Sequence, residues 1–405
     1  MKQFAFSRLA LCVLCGASFT LMPSLASAGW VSLNSGNYQW LWSVHFPVDA
    51  STGYAMGEEG TILKTTDGGA NWVSDTSGTV NHLVSTHFPV DALTGYAVGD
   101  SGTILKTTNG GANWVSQTTG TKDFLCSVHF PADVQTGYAV GWSGTILKTT
   151  NGGANWVLQT SGTTNFLRSV HFPVDASTGY AVGWSGTILK TTNGGASWAT
   201  LTAGTANELY SVHFPVDVST GYAVGGPGTI LKTTNGGANW ISQITDSTIS
   251  LLSVHFPGNV STGYAVGAWN GTILKTTDGG GNWVNQSLVT YGQLNSVHFP
   301  VNPQTGYAVG SNGTILKTMD GGVGVEETEG SGQKAVGSIK ATPNPFTSFA
   351  TLPGHEAERF SLYDISGRRV GVYKGDRVGE GLAPGVYFLR SSDNKDKPLR
   401  IVKVR

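Results

Sequence analysis

The chain has 405 residues, enough for two domains, with 12% charged residues and 57 glycines. A formal net charge of −1 excludes the clustered Lys and Arg that phosphate-backbone binding requires, so nucleic acid is not an expected partner. Glycine interleaved with Val, Ile, Thr and aromatic residues excludes collagen-like and disordered classes; it points to many short strands joined by tight turns, and no stretch reads as helical.

At the N-terminus, Lys2 and Arg8 precede an apolar run from Leu9 to Leu14, followed by the small-x-small sequence Ala26-Ser27-Ala28. This pattern predicts a signal peptide over 1–28, cleaved before Gly29. A lipoprotein site needs a small residue before its cysteine, but Leu11 precedes Cys12 and Leu14 precedes Cys15. Removal of the leader leaves Cys126 alone, so no intramolecular disulfide is expected even in an oxidising compartment. No later segment is apolar for the roughly 18 residues a membrane helix needs, so no membrane span is expected.

From Gly29 onward the chain repeats itself. Ser-Val-His-Phe, or once Ser-Thr-His-Phe, begins at 43, 85, 127, 169, 211, 253 and 296, and Thr-Gly-Tyr-Ala follows each copy. Gly-Thr-Ile-Leu-Lys-Thr recurs in step at 60, 102, 144, 186, 228, 271 and 313. A period in this range with four strand-like runs is the signature of propeller blades. In the first unit the runs are Leu41 to Phe46, Gly53 to Met56, Thr61 to Thr65 and Asn71 to Asp75, joined by glycine-rich hairpins.

Each outer run carries a tryptophan, at 30, 72, 114, 156, 198, 240 and 283. The first lies ahead of the first repeat, and the last repeat has Val323-Gly324 where a tryptophan is due. Trp30-Val31-Ser32 is therefore expected to supply the outer strand of the last blade, closing a seven-bladed, all-β propeller over 29–322 as a monomer. A Gly- and Glu-rich linker over 323–337 leads to strand-like runs at Phe360 to Ile365, Val386 to Arg390 and Leu399 to Val404. These are expected to form a small C-terminal β-sandwich over 338–405.

Several repeated groups invite a chemical reading. The turn Thr65-Thr66-Asp67-Gly68-Gly69-Ala70-Asn71-Trp72 recurs with Asp at 67, 278 and 320 but Asn at 109, 151, 193 and 235. Both side chains accept hydrogen bonds from turn amides, whereas a calcium site would not give up its charge, so the turn is read as structural. Histidines recur at 45, 87, 129, 171, 213, 255 and 298; identity in every blade assigns them to packing between blades rather than to a metal. No cofactor is expected. The acids at variable positions, Glu58, Glu59, Asp100, Asp123 and Glu208, form no sequence pattern of paired catalytic carboxylates.

Where the repeats disagree, packing does not dictate the residue. One variable zone flanks the leucine that opens each inner strand: Trp40, His82, Phe124, Phe166, Glu208, Ser250 and Gln293 before it, and Trp42, Val84, Cys126, Arg168, Tyr210, Leu252 and Asn295 after it. The other follows the second strand: Glu58, Asp100, Trp142, Trp184, Gly226, Trp269 and Ser311. In an antiparallel blade both zones emerge on one face, around the channel mouth. Trp40, Trp42, Trp142, Trp184 and Trp269 all fall there, with Phe124, Phe166, Tyr210 and Arg168, and these nine are the candidate residues for binding a protein or glycan.

The unit Gly-Thr-Ile-Leu-Lys-Thr-Thr-Asp-Gly-Gly-Ala-Asn-Trp resembles the Asp-box repeats of photosystem II stability and assembly factor propellers over roughly Gly29 to Gly322. That resemblance implies a non-catalytic propeller and offers an assembly-factor role as an alternative function. The whole ring also resembles sialidases, whose chemistry needs three clustered arginines and a Tyr nucleophile paired with Glu; Arg168 is the single arginine between Gly29 and Gly337, which excludes a sialidase mechanism. A glycan-cleaving enzyme of another mechanism is the remaining alternative.

The tail, with Pro343-Asn344-Pro345-Phe346, Leu362-Tyr363-Asp364-Ile365-Ser366-Gly367-Arg368 and Leu382-Ala383-Pro384-Gly385-Val386-Tyr387-Phe388, is similar to type A sorting domains of the type IX secretion system. This implies export across the outer membrane by that machinery, to the cell surface or the medium.

Overall fold

The computed structural model describes residues 29–243, 249–268, 271–286, 292–322, 350–351, 359–364, 368–374, 377–378, 381–391 and 399–403. The expected signal peptide, the linker, Trp269 and Pro343-Asn344-Pro345-Phe346 lie outside them. The chain divides into two compact units, 1–327 and 328–405.

The first unit is a seven-bladed β-propeller. In the first blade four antiparallel strands, Leu41–His45, Gly53–Gly57, Ile62–Thr65 and Val73–Asp75, run in sequence order from the axis outward. Five of the following blades repeat this order. The seventh takes its outer strand from Val31–Leu33, which pairs with Ile315–Thr318 in the register Val31 to Lys317 and Leu33 to Ile315. Trp30 is 2% exposed and packs edge-on against Tyr264 and Phe299. The expected closure by the N-terminal strand is therefore observed, and it leaves no blade with a missing outer strand.

Short 3-10 turns between the second and third strands of five blades, such as Glu58–Gly60 and Trp142–Gly144, were not legible in the sequence. Their middle residues, Glu59, Ser101, Ser143, Ser185 and Asn312, have φ of 51–55°. This left-handed region is uncommon outside glycine, so the loops at the variable face hold a fixed, mildly strained shape.

The apolar core is divided among the blade joints. At the joint of the second and third blades, Tyr96, Val98 and Ile104 meet Leu125, Val128, Phe130 and Trp156. Phe130 stacks on Tyr96 at 3.9 Å and stands edge-on to Trp156 at 6.0 Å. A Cβ on Gly137 would lie 2.4 Å from the Phe130 ring, which accounts for the glycine of each Thr-Gly-Tyr-Ala.

Polar groups of the repeat also act across the joints. The inner strand of each blade is an edge whose outward N–H groups have no strand partner. Ser85 Oγ accepts the N–H of Val128 and His87 Nδ1 that of Phe130, at 3.2 Å each. The same two bonds join the last blade to the first, from Val44 to Ser296 and from Phe46 to His298. On the opposite face the single proton of the Tyr96 hydroxyl is shared between the carbonyls of Val134 and Gly152, and Lys106 Nζ donates to Gly152 at 2.7 Å. The repeated lysines are thus tied to the turns of the next blade.

The Asp-box turn is closed by its own side chains. Thr65 Oγ1 accepts the N–H of Gly69 and donates to Asp67, whose carboxylate accepts the N–H of Asn71 at 2.9 Å. Asn109 does the same for Asn113 at 3.0 Å, so one oxygen suffices and Asp and Asn interchange. Hydrogen bonds from Asn71 hold the Asp67 carboxyl at about 2.

In the second unit the described strands Arg369–Lys374, Arg359–Asp364, Gly385–Ser391 and Leu399–Lys403 form one antiparallel sheet in that order, and Ala350–Thr351 pairs with Arg377–Val378. Phe360, Leu362, Val378, Tyr387 and Leu389 are buried together. Three of the strands were legible as apolar runs; Arg369–Lys374 was not, because its mixed Arg, Gly and Lys composition hides the alternation.

Candidate functional site

The loops before the inner strand and after the second strand do meet on one face. The Glu58 N–H donates to the carbonyl of Trp40 and the Trp142 N–H to that of Phe124, at 2.9–3.0 Å. This pairing brings the two variable positions of one blade side by side. Trp142 is stacked between Phe124 of its own blade, at 5.2 Å and 18°, and Phe166 of the next, at 4.8 Å and 5°. Phe166 in turn meets Trp184 at 4.4 Å and 45°. The result is a four-ring aromatic ridge in which Trp142 is 41% and Trp184 38% exposed.

Trp40 and Trp42 form a separate pair at 5.5 Å, and both are half-buried. The Nε1–H of Trp42 is buried without a hydrogen-bond partner among the described residues.

Inside the ridge, each inner strand is bulged at its second residue, which turns that position to the channel mouth. Arg168 stands there with its guanidinium 5.5 Å from the centre of the Tyr210 ring and 4.0 Å from Cys126 Sγ. It makes no ion pair among the described residues. Burial pushes the Cys126 thiol up to about 11, opposed by Arg168, which disfavours the thiolate. Burial and then the Glu208 carboxylate, which accepts the Tyr210 hydroxyl, push the phenol up to about 12. Eight of the nine sequence-selected residues are described on this face; four form the ridge, two the Trp40–Trp42 pair, and two the Arg168–Tyr210 contact.

The acids of the face are occupied by neighbours. Glu59 accepts from Gln39 at 2.7 Å, Asp123 from Thr145 at 2.6 Å, and Asp100 lies 3.9 Å from His82.

Deeper in the channel the seven histidines close a circle, with neighbouring imidazoles 4.7–5.1 Å apart. Their Nδ1 atoms accept backbone N–H groups, so the proton of each neutral imidazole is on Nε2. Burial lowers all seven, His87 and His255 to about 4 and His171 to about 3. The sequence assigned them to blade packing; the specific acceptor role was signalled by an invariant polar residue on an edge strand.

The architecture defines a class: a seven-bladed propeller of Asp-box repeats whose variation gathers on one face. The profile of the family described as "Photosynthesis system II assembly factor YCF48" matches residues 22–118 and 158–248. No curated protein sequence matches the chain.

Among solved structures, "YCF48 bound to D1 peptide" is 19% identical with a TM-score of 0.60, covering 73% of this chain and 97% of that one. "YCF48 from Cyanidioschyzon merolae" is 20% identical at TM-score 0.60, covering 72% and 99%. "Crystal structure of RRP9 WD40 repeats" is 12% identical at TM-score 0.62, covering 73% and 98%. At these identities the likeness carries the fold alone.

Proposed function

We propose that this chain is a non-catalytic binding propeller whose variable face holds a protein segment against the aromatic ridge. The stacking of Trp142 between Phe124 and Phe166 is the observation that carries this reading. Sugars bind on open aromatic faces, and both faces of Trp142 are already covered. What the ridge offers is a row of ring edges, which apolar and aromatic side chains of a protein pack against. The D1 peptide named for one propeller of the same fold is consistent with a peptide partner.

The tail motifs support export by the type IX machinery to the cell surface or medium. The family profile favours a second reading, an assembly factor for a membrane complex. A glycan ligand is the third.

One experiment separates protein from glycan: capture from envelope extract by the full chain after protease or periodate treatment of the extract. Capture abolished by protease and preserved after periodate supports the proposal. The reverse pattern overturns it.

A further inference from the structure

Seven Nε2–H groups around the axis make no hydrogen bond to protein among the described residues, although the imidazoles are half-buried and their other nitrogens are all engaged. None of these Nε2 atoms is among the buried polar atoms without a partner, so they open onto the channel. The tautomer offers a metal no lone pair there, because Nε2 carries the proton while Nδ1 holds the backbone. The channel therefore presents a ring of N–H donors, and what they bind is an acceptor.

The lining selects its charge. None of the seven inner strands carries an acidic residue, and Arg168, the one basic residue on them besides histidine, is without an ion pair among the described residues. A ring of N–H dipoles on strands that carry no carboxylate favours an anion, and Arg168, three residues along its strand from His171, adds positive charge towards the mouth.

The dimensions select its shape. Seven centroids 4.7–5.1 Å apart lie on a circle of radius about 5.6 Å. A nitrogen turned inward is then about 4.5 Å from the axis, and N–H···O bonds of about 3 Å reach acceptors about 1.5 Å off it. That is where the oxygens of a tetrahedral oxyanion centred on the axis lie, whereas a chloride on the axis is beyond reach of every donor.

We propose that the channel at the level of the histidines binds a free tetrahedral oxyanion, phosphate or sulfate, through Nε2–H groups from several blades.

The test is calorimetric titration of the full chain at pH 7.5 with sodium phosphate, sodium sulfate and sodium chloride at matched ionic strength. A triple variant, His87→Asn with His129→Asn and His171→Asn, keeps an acceptor near the position of Nδ1 and withdraws three donors from the channel, because the amide NH2 ends where the ring Cδ2 stood. Leu158→Ala, exposed on an outer strand, serves as the control outside the channel. The proposal expects saturable binding of phosphate or sulfate, none of chloride, and an affinity at least about tenfold weaker in the triple variant but unchanged in the control. If the triple variant does not fold, the anion comparison on the native chain and an anomalous signal from selenate on the axis of a crystal decide the matter. Absence of saturable binding, equal response to chloride, or selenate confined to the surface overturns it; linear stabilisation by sulfate alone is the general salt effect and counts against a site.

Discussion

Acid should unfold this propeller well above the pH at which its carboxylates titrate. The seven imidazoles accept backbone N–H groups and are held below their ordinary value by burial, His87 and His255 at about 4. In the unfolded chain they titrate near 6.5. Between these values the unfolded state binds protons that the folded state refuses, so stability is complete above about pH 6.5 and is lost as pH falls toward 4. Each histidine contributes a slope of about 1.4 kcal/mol per pH unit, and seven set a ceiling of about 10.

Water in the channel lowers this ceiling, yet even a third of it, about 3 kcal/mol per unit, is large against a typical domain stability of about 5–15 kcal/mol. Asp67 and Asp278, at about 2, titrate below the window and do not mask it. Urea unfolding at pH 8.0, 7.0, 6.0 and 5.0 measures the slope directly. Loss of several kcal/mol between pH 7 and 5 is expected, with a shallower slope in the triple His→Asn variant. A flat profile across that range would refute the assignment of Nδ1 as acceptor and of the proton to Nε2.

Other perturbations follow from the joints and turns. Trp30→Ala removes the side chain that seats the closing strand among Tyr264, Phe299 and Leu316, and should cost about 3–5 kcal/mol in urea unfolding. Tyr138→Phe loses the hydroxyl shared between the Ala176 and Gly194 carbonyls of the next blade, and should cost about 1–3 kcal/mol by the same measurement. Asp67→Asn should leave the melting temperature within experimental error, because Asn fills that place in four other blades, while Thr65→Val strands the Gly69 N–H and should lower it by several degrees.

Repetition made the fold legible. The spacing of Ser-Val-His-Phe and Gly-Thr-Ile-Leu-Lys-Thr fixed the blade count and strand order, and the displaced tryptophan identified Trp30 as the closing residue. What repetition does not reveal is the partner of a side chain in the adjacent blade. The repeat places Lys106 on the third strand, but only the structure shows that it donates to Gly152 of the next blade. Likewise Phe124, Trp142, Phe166 and Trp184 were separable as variable aromatics, but their stacking into one ridge depends on loop geometry. That geometry includes left-handed residues such as Ser143 and Ser185, which no local composition signals.

The central claim is that the ridge is the recognition surface. Hydrogen exchange of the full chain, free and with its captured envelope partner, against a folded Trp142→Ala/Trp184→Ala variant tests it most directly. The account predicts protection confined to the loops around Phe124, Trp142, Phe166 and Trp184, and loss of capture in the variant. Undiminished capture by the variant, or protection on the opposite face at the Asp-box turns, would contradict it.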